Sequence, residues 1–578
     1  MKFLTLSECF ERLEATTKRL EMFDILSEMF RQAGADDIDK IIYLSQGVFL
    51  PAFYGLEIGM SEKLLIRALS DASNTPTKKV EDLFKKTGDL GLAASELIKG
   101  LNKEITGLSV ATVYKELRDI AETSGAGSVE RKIGLLSSLL RGVSSVEAKY
   151  IGRFVIGRLR LGIGDPTVLE ALALSEGDRG LRPELERAYN LCSDLGLVAK
   201  TLKEKGIEAI REFRVQVGYP IRMALCERLS SPEDIITKMT EAAVEAKYDG
   251  FRCQVHKDGN KIDIFSRNLE RTTHMFPEII EAAKGHITAK RAIFEGEALA
   301  YNEATGELFP FQVTIQRKRK HGIEALAKEY PLKFFAFELL YADGADYTEL
   351  PYRKRREKLE SLIKKNPVIE PAEMFVTDDP KKIHEYFEKA VERGLEGVIA
   401  KRLDSPYTAG ARNFNWIKLK RSYKGELQDT VDVSIVGYFR GKGARARFGL
   451  GAVLGAVYEP KTDTFKTISK VGSGFSDEEF HKLRALLDDI ALKHKHPRVD
   501  SVMEADIWVE PKYVVTVTAD EITRSPSHTA GKDKEGIGYA LRFPRAVGFL
   551  RADKKAEDAN SVEEIIEMFN NQRKVKTG

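Results

Sequence analysis

The stretch Glu245-Ala246-Lys247-Tyr248-Asp249-Gly250-Phe251-Arg252 is the most informative part of this chain. Lys247 stands two positions before an Asp-Gly pair, and an arginine comes shortly after. Because Asp and Gly favour turns, the stretch predicts a strand that ends near Lys247 and a β-rich run that begins near Phe251. The pattern Lys-x-Asp-Gly is short, and an ordinary strand end with a turn would also produce it. Its meaning therefore depends on the residues further along the chain.

Charged residues accompany the β-rich runs that come next. Arg252 and Arg267 lie on consecutive predicted strands and alternate with apolar neighbours, although exposed strand arginines would look the same. Phe294-Glu295-Gly296-Glu297-Ala298 places Glu297 at the end of a buried strand. An uncompensated carboxylate there would be costly, which favours a metal or ribose contact. The apolar run from 334 to 341 is mostly core.

Two later runs also place charges at or along short strands. The run from 394 to 401 puts Glu396 and Lys401 at the two ends of an apolar strand. Trp416-Ile417-Lys418-Leu419-Lys420 alternates, so both of its lysines face one side, as in a polar edge strand. A lysine nucleophile needs a lowered pKa or nearby positive charge, and a phosphate target needs its charge neutralised. These runs supply candidates for both requirements.

Composition describes a soluble globular protein. The chain has 578 residues, of which 43% are hydrophobic and 31% charged, and this length suggests about three to four domains. The net charge is only +3, so a nucleic-acid surface would need segregated charge. No apolar run is long enough to span a membrane, and the N-terminus does not resemble a secretory signal. The cysteines lie far apart, which argues against a zinc site or a disulfide framework and fits a reducing cytosol.

The pattern of apolar and polar residues changes twice along the chain. Residues 1–215 show helical periodicity almost throughout and predict an all-α domain. Residues 216–420 contain short β-rich runs, including a hairpin signal at Asp258-Gly259-Asn260, and predict an α+β domain. Residues 421–578 predict a small β-barrel closed by a helix that begins after Ser561, with Glu564 completing its N-terminal cap.

A local excess of basic residues stands out in the helical domain. The domain as a whole is almost neutral, yet the segment 131–160 carries a net charge of +6. If 147–161 were one helix, Lys149, Arg153 and Arg160 would fall within about 40° of one another. Such a stripe suits contact with DNA backbone phosphates without base readout. A solvated basic face is the alternative.

Taken in order, these runs resemble motifs I, III, IIIa, IV and V of the ATP-dependent DNA ligases. The segments Leu541-Arg542-Phe543-Pro544-Arg545 and Arg551-Ala552-Asp553-Lys554 resemble motif VI, and residues 147–169 are similar to the helical DNA-binding domain of the archaeal and eukaryotic replicative branch. The resemblance implies a helical DNA-binding domain, an adenylation (nucleotidyltransferase) domain and a terminal OB-fold. It also implies the sealing of 5′-phosphate/3′-hydroxyl nicks in duplex DNA through a lysyl-AMP and a DNA-adenylate, in replication, repair and recombination.

The same resemblance implies a role for each matching residue. Lys247 becomes adenylylated by ATP, and Glu245 and Phe337 hold the adenine. The implied contacts to ribose or phosphates are Arg252, Arg267 and Arg412, and those to the α-phosphate are Lys418 and Lys420. The residues implied to orient the leaving pyrophosphate are Arg542, Arg545, Arg551, Asp553 and Lys554. Glu297 and Glu396 would lie near the ribose and a divalent metal; two carboxylates with a phosphate substrate favour Mg²⁺ or Mn²⁺ over zinc.

Other functions are less consistent with the sequence. An RNA ligase or a capping guanylyltransferase would share Lys247 but should lack a helical domain of this size. An NAD-dependent ligase carries a four-cysteine zinc site that this chain cannot build. A non-catalytic DNA-binding scaffold with a decayed core would be expected to have lost some of the charged motif residues.

Partners can be predicted only in part. Archaeal relatives often carry a glutamine and an aromatic pair as a sliding-clamp tag, but the comparable stretch 102–108 has neither. We therefore expect nicked duplex DNA as the partner, a monomeric protein, and a cytoplasmic, nucleoid-associated location. A sliding clamp would be a second partner, for which the sequence shows no clear binding motif.

Overall fold

A computed structural model describes residues 1–101, 107–159, 161–303, 308–309, 314, 317, 327, 329–393, 395–420, 430–441, 449–519 and 521–576. The chain forms two compact units. The first comprises Met1–Tyr189, Asp194–Phe213 and His494–Arg498, and the second comprises Asn190–Ser193, Arg214–Lys493 and Val499–Gly578. The domain limits expected near 215 and 420 stay predictions.

The N-terminal region is helical, as the periodicity predicted. Its helices are α1 (Phe3–Ala15), α2 (Arg19–Gln32), α3 (Ala35–Gln46), α4 (Glu62–Ser73), α5 (Thr77–Thr87), α6 (Leu90–Lys99), α7 (Val110–Glu122), α8 (Ser128–Arg141), α9 (Ser145–Val155), α10 (Asp165–Ser175), α11 (Arg182–Cys192) and α12 (Leu195–Arg211). Ser144 and Glu147 form a capping box that starts α9. Because α9 ends at Val155 and Gly157 adopts a positive φ of 65°, the expectation of one helix over 147–161 is wrong.

Two sheets make up the middle of the second unit, in agreement with the predicted α+β domain. The strands are β1 (Leu225–Arg228), β2 (Ala242–Lys247), β3 (Phe251–Asp258), β4 (Lys261–Ser266), β5 (Arg291–Ala300), β6 (Leu332–Ala342), β7 (Ala345–Asp346), β8 (Ile369–Pro371), β9 (Met374–Thr377), β10 (Gly397–Arg402) and β11 (Arg412–Lys420). One sheet has the order β1-β11-β10-β2-β9, and the other β4-β3-β5-β6-β7 with β8 beside β6. The helices here are α13 (Pro232–Met239), α14 (Pro277–His286), α15 (Tyr352–Leu362) and α16 (Pro380–Glu392).

The hairpin predicted at Asp258-Gly259-Asn260 is confirmed, since β3 and β4 pair antiparallel up to Asp258 and Lys261. The turn from β2 to β3 carries the chain from one sheet to the other. Val244 on β2 and Ile417 on β11 share one hydrophobic core with Leu340 on β6, so the two sheets pack against each other. This packing places the ends of β2, β3, β10 and β11 around a common region.

The C-terminal part of the second unit is rich in strands. They are β12 (Val431–Phe439), β13 (Ala452–Glu459), β14 (Thr464–Val471), β15 (Ala491–Leu492), β16 (Val499–Asp500), β17 (Ile507–Val509), β18 (Val514–Thr518), β19 (Glu521–Ser525), β20 (Gly538–Arg542) and β21 (Arg545–Leu550). Residues 507–518 contain two of these strands, β17 and β18. Two helices, α17 (Asp477–Asp488) and α18 (Val562–Lys576), complete it.

The predicted cap of the terminal helix is confirmed. Ser561 Oγ accepts a hydrogen bond from the Glu564 amide, and the Glu564 carboxylate accepts one from the Ser561 amide. Among the described residues, no helix is both long enough and apolar enough to cross a membrane.

Candidate nucleotide-binding site

Lys247 lies where β2 ends and the chain turns into β3. A Cβ atom at Gly250 would lie 2.6 Å from the carbonyl oxygen of Ala298, so this turn requires glycine. On the neighbouring strand β10, Gly397 pairs with Lys247. The amide of Glu396 donates to the Lys247 carbonyl at 3.1 Å. The strand register therefore brings Glu396 beside the lysine side chain.

One cavity of the second unit gathers most of the residues named from the sequence. Those that line it are Glu245, Lys247, Arg252, Arg267, Glu297, Phe337, Glu396, Arg412, Lys418, Lys420, Arg551, Asp553 and Lys554. Arg542 and Arg545 are not among the lining residues. Arg542 is mostly exposed and pairs with Glu521, and Arg545 is exposed on β21.

Glu396 holds two lysines at once. Its Oε2 lies 2.6 Å from Nζ of Lys247 and 2.6 Å from Nζ of Lys420. Burial acts to lower the pKa of Lys247, but the charge of Glu396 outweighs it and the net shift is upward. Burial lowers the pKa of Lys420 to about 8, although the charge of Glu396 acts to raise it. In this arrangement the Lys247 amine keeps its proton and is not yet a nucleophile.

Glu245 is a buried lining residue of the cavity, and both of its carboxylate oxygens have partners. Its Oε2 lies 2.8 Å from Nζ of Lys401, while Oε1 accepts from Tyr352 and lies 3.4 Å from Arg356. The sequence singled out Lys401 as a strand-end base but gave no sign of Tyr352 or Arg356. Both stand on α15, whose charge-rich sequence looks like a solvated helix.

The Phe337 ring is surrounded by cations and a second aromatic ring. Arg252 Cζ lies 5.4 Å and Lys401 Nζ 4.7 Å from its centroid. Trp416 meets it edge-on with the centroids 6.1 Å apart. The ring lines the cavity although only 9% of the residue is exposed. Aromatic and cationic neighbours of this kind suit a flat, electron-rich base.

Two carboxylates from the C-terminal part of the chain form ion pairs with the cationic side chains that are expected to bind phosphate. Glu564 lies 2.6 Å from Arg412 and 3.3 Å from Lys418, and Asp558 lies 3.0 Å from Arg267. Sequence analysis recognised Glu564 only as a helix cap and missed Asp558. Nothing in their local pattern marks them, because their partners are more than a hundred residues away.

Of the two segments that resemble motif VI, only 551–554 lines the cavity, and it is also held by ion pairs. Arg551 pairs with Asp553 at 2.7 Å, and Lys554 contacts Asp432 on β12. Burial lowers the pKa of Lys554 to about 8, with Asp432 opposing the shift. Asp432 was not predicted.

Comparison with known proteins identifies the family. The model of the ATP-dependent DNA ligase domain matches residues 223–420, the DNA ligase N-terminal model 2–173 and the C-terminal region model 446–554. The chain belongs to the ATP-dependent DNA ligase family. A protein of Dictyoglomus thermophilum named "Probable DNA ligase" is 51% identical over 100% of this chain and 99% of its own. A "DNA ligase" of Sulfurisphaera tokodaii is 45% identical over 98% of this chain and 97% of its own.

A solved structure described as "mycobacterial DNA ligase D complexed with ATP and MES" is 24% identical and covers 59% of this chain and 98% of its own, with a TM-score of 0.33. Membership in the family makes the chain an ATP-dependent DNA ligase, a nucleotidyltransferase. The scaffold alternative does not fit, because Lys247 and its predicted partners are present and line one cavity.

The donor set of this ligase fits a magnesium-type cation. Glu297 and Glu396 line the same cavity, and burial raises the pKa of Glu297 to about 7 against the influence of Lys247 and Arg252. Within the described ranges, no three His, Cys, Asp or Glu side chains come together as a metal cluster. Mg²⁺ commonly takes one or two carboxylates and completes its shell with substrate phosphates and water. A complete protein cage is therefore not required.

Of the basic residues predicted to touch DNA, Lys149 and Arg153 are engaged within the helical unit. Lys149 lies 2.7 Å from Glu14, and Arg153 lies 2.9 Å from Glu14 and 2.8 Å from Asp89. Arg153 is 3% exposed. Arg160 lies outside the described residues. The first two side chains thus belong to an ion-pair network that joins α9 to α1 and to the cap of α6.

Proposed function

We propose that this ligase seals 5′-phosphate/3′-hydroxyl nicks in duplex DNA through a lysyl-AMP at Lys247 and a DNA-adenylate. The amine of Lys247 loses a proton and bonds to the α-phosphorus of ATP, and pyrophosphate leaves. The 5′-phosphate oxygen of the nick then attacks that phosphorus, the P–N bond breaks, and Lys247 regains a proton. Finally the 3′-hydroxyl loses its proton, attacks the 5′-phosphate and expels AMP. Replication, repair and recombination would use this reaction.

The observation that carries the proposal is the convergence of cations around one lysine. Beside Lys247, the cavity is lined by Arg252, Arg267, Arg412, Lys418, Lys420, Arg551 and Lys554. Fixed positive groups stabilise the charge that develops on a transferring phosphoryl group. Two of the lining guanidinium groups, Arg252 and Arg267, each have an Nε without a hydrogen-bond partner in the described part of the chain.

Nucleotide binding would exchange one set of anions for another. Asp558 and Glu564 hold Arg267, Arg412 and Lys418 with carboxylate oxygens. Phosphate oxygens suit the same donors. The two carboxylates would therefore have to leave when ATP enters, and the C-terminal part that carries them would shift.

The amine of Lys247 becomes reactive when Glu396 releases it, because that carboxylate raises its pKa. Glu396 and Glu297 would hold Mg²⁺ or Mn²⁺, which neutralises phosphate charge when bound. Glu245 would accept from the adenine amino group, and Phe337 would stack on the base. Arg551 and Lys554 would orient the leaving pyrophosphate, with Asp553 holding Arg551.

The C-terminal strands would form an OB-fold. The arrangement of β12, which pairs with β13, β17 and β18, supports this.

The helical domain would bind duplex DNA. Substituting Lys149, Arg153 and Arg160 should flatten the slope of log affinity against log salt by about 0.9 for each phosphate that the protein no longer neutralises. An unchanged slope with a lower melting temperature would restrict Lys149 and Arg153 to the ion-pair network. The monomeric state remains a proposal, and the clamp stretch lies mostly outside the described residues.

The covalent step is tested by mass. Incubation with ATP and Mg²⁺ should add one AMP to the protein, and peptide mapping should place it on Lys247. Lys247→Ala should prevent the adduct, and so should Lys247→Arg, because a guanidinium stays protonated. A stable adduct on Lys247→Arg would contradict the proposal.

A further inference from the structure

A buried carboxylate links two residues of β3. Arg252 and Gln254 are two positions apart and therefore face the same side of the sheet. Arg252 Nη2 donates to Glu295 Oε2 at 2.8 Å, and Gln254 Nε2 donates to Glu295 Oε1 at 3.0 Å. Glu295 is 0% exposed. Its charge is thus divided between the guanidinium and the amide.

Gln254 also forms hydrogen bonds with the backbone just before β1. Its Oε1 accepts from the Ile221 amide at 2.8 Å, and its Nε2 donates to the Ile221 carbonyl at 3.0 Å. His256 Nε2 lies 2.8 Å from the same Oε1, and its Nδ1 accepts from the Gly218 amide at 2.9 Å. Since Nδ1 accepts, the neutral ring carries its proton on Nε2. These partners fix the orientation of the Gln254 amide.

The segment 218–224, already bound at Gly218 and Ile221, also hydrogen-bonds Arg252 and Tyr407 through its last residue, Ala224. Arg252 Nη1 donates to the Ala224 carbonyl at 2.8 Å. The Tyr407 hydroxyl accepts a hydrogen bond from the Ala224 amide at 2.8 Å and donates one to Glu295 Oε2 at 3.1 Å. Both ends of the Arg252 fork are therefore held, one by Glu295 and one by this segment. The guanidinium has one orientation against the cavity.

We propose that Gln254 is a positioning residue for nucleotide binding. It ties Glu295 to the Ile221 backbone and so fixes Arg252 where the nucleotide enters. This rests on the proposed function, because it takes Arg252 as a contact for ribose or phosphate. A pre-oriented guanidinium loses less freedom when the ligand binds, which lowers the KM for ATP.

The test uses Gln254→Leu in the full chain, which keeps the side-chain size and removes its hydrogen bonds. The KM for ATP in AMP-adduct formation should rise roughly tenfold, as expected when a hydrogen bond to a charged group is removed. The rate at saturating ATP should change much less. Because Gln254 acts through Arg252, the double variant with Arg252→Ala should be no worse than Arg252→Ala alone.

Lys257→Met is the matched control on the same strand. Lys257 is buried and donates to the carbonyls of Ala283 and Ile287, but does not line the cavity. This variant should lower stability and leave the KM unchanged. Gln254→Glu keeps the side-chain size but replaces the Nε2 donor that faces Glu295 Oε1 with a second carboxylate oxygen. Its KM for ATP should therefore also rise, while the rate at saturating ATP should change much less.

Two results would overturn the inference: an unchanged KM in Gln254→Leu, or effects of Gln254→Leu and Arg252→Ala that simply add. If Gln254→Leu does not fold, a wild-type KM in Gln254→Glu would overturn it equally. Failure of the proposed function looks different. In that case the wild type would form no AMP adduct, or Lys247→Ala would still form it.

Discussion

At the scale of single residues, the reactivity of Lys247 depends on Glu396. The carboxylate lies 2.6 Å from the amine and also 2.6 Å from Lys420. Its charge keeps the Lys247 pKa above the usual value even though burial acts in the opposite direction. A protonated amine is not a nucleophile, so this pairing holds Lys247 in its unreactive form. The same pairing makes amine reactivity sensitive to pH.

We predict that Glu396→Gln shifts the reactivity of Lys247 to lower pH. Removing the carboxylate lowers the amine pKa, so the neutral amine appears earlier as pH rises. The measurement is the pH dependence of Lys247 labelling by an acylating reagent without nucleotide or metal, which avoids any loss of metal binding. Lys247→Ala gives the background. A labelling profile that does not move would show that Glu396 does not control the amine.

A second residue-scale prediction concerns Lys401, whose side chain is 1% exposed and paired with Glu245. Lys401→Met should leave the Glu245 charge under-compensated and cost about 3 kcal/mol of unfolding free energy. Urea denaturation measures this loss. The double variant Lys401→Met/Glu245→Gln should recover part of it, since the Glu245 charge that lost Lys401 is then removed as well. A double variant as unstable as the sum of the singles would contradict the pairing.

At the scale of elements, the start of α18 is both a helix cap and a counter-ion. Glu564 caps the helix with Ser561 and at the same time pairs with Arg412 and Lys418. A helix N-terminus favours acidic residues on its own account. One carboxylate therefore ties the fold of the terminal helix to the phosphate-binding cations.

We predict that Glu564→Gln lowers the KM for ATP in adduct formation by several-fold, up to roughly tenfold, because the triphosphate no longer competes with a charge-assisted pair. Glutamine can serve at this position of a capping box, so the helix should persist. The matched control is Glu563→Gln, since Glu563 pairs with Lys461 on the exposed side of the helix. Equal KM values in both variants would mean that Glu564 does not compete with ATP.

At the scale of the whole molecule, the cavity is built from residues that the sequence spreads over more than three hundred positions. Lys247 ends β2, whereas Arg551 and Lys554 come after β21. Only part of motif VI reaches the cavity, since Arg542 is exposed and pairs with Glu521. The two groups of arginines should therefore act differently.

We predict that Arg551→Ala slows adduct formation with ATP far more than the sealing of a nick that already carries a 5′-adenylate. Pyrophosphate is present only in the first reaction, so a residue that orients it affects that step. Arg542→Ala should leave adduct formation close to wild type. The two rates are measured separately with labelled ATP and with pre-adenylylated DNA. Equal losses in both assays would indicate that Arg551 serves DNA binding.

Sequence alone was enough to predict the helical region, the sheet-rich regions, the hairpin at Gly259, the cap at Ser561 and most of the residues that line the cavity. These features depend on local periodicity, on turn chemistry, and on side chains such as Lys247 and Glu396 whose strand and motif positions are readable along the chain. The basic stripe required one helix over 147–161, and this condition fails because α9 ends at Val155 and Gly157 takes a positive φ.

The pairing of the charges, in contrast, follows only from the folded chain. Glu295, Asp558 and Glu564 reach Arg252, Arg267 and Arg412 from distant segments, and Glu14 and Asp89 take up Arg153. An ordinary glutamate or aspartate carries no local sign of such a partner. The free energy of a buried charge depends on which groups surround it in space, and those groups become neighbours only when the strands and helices pack.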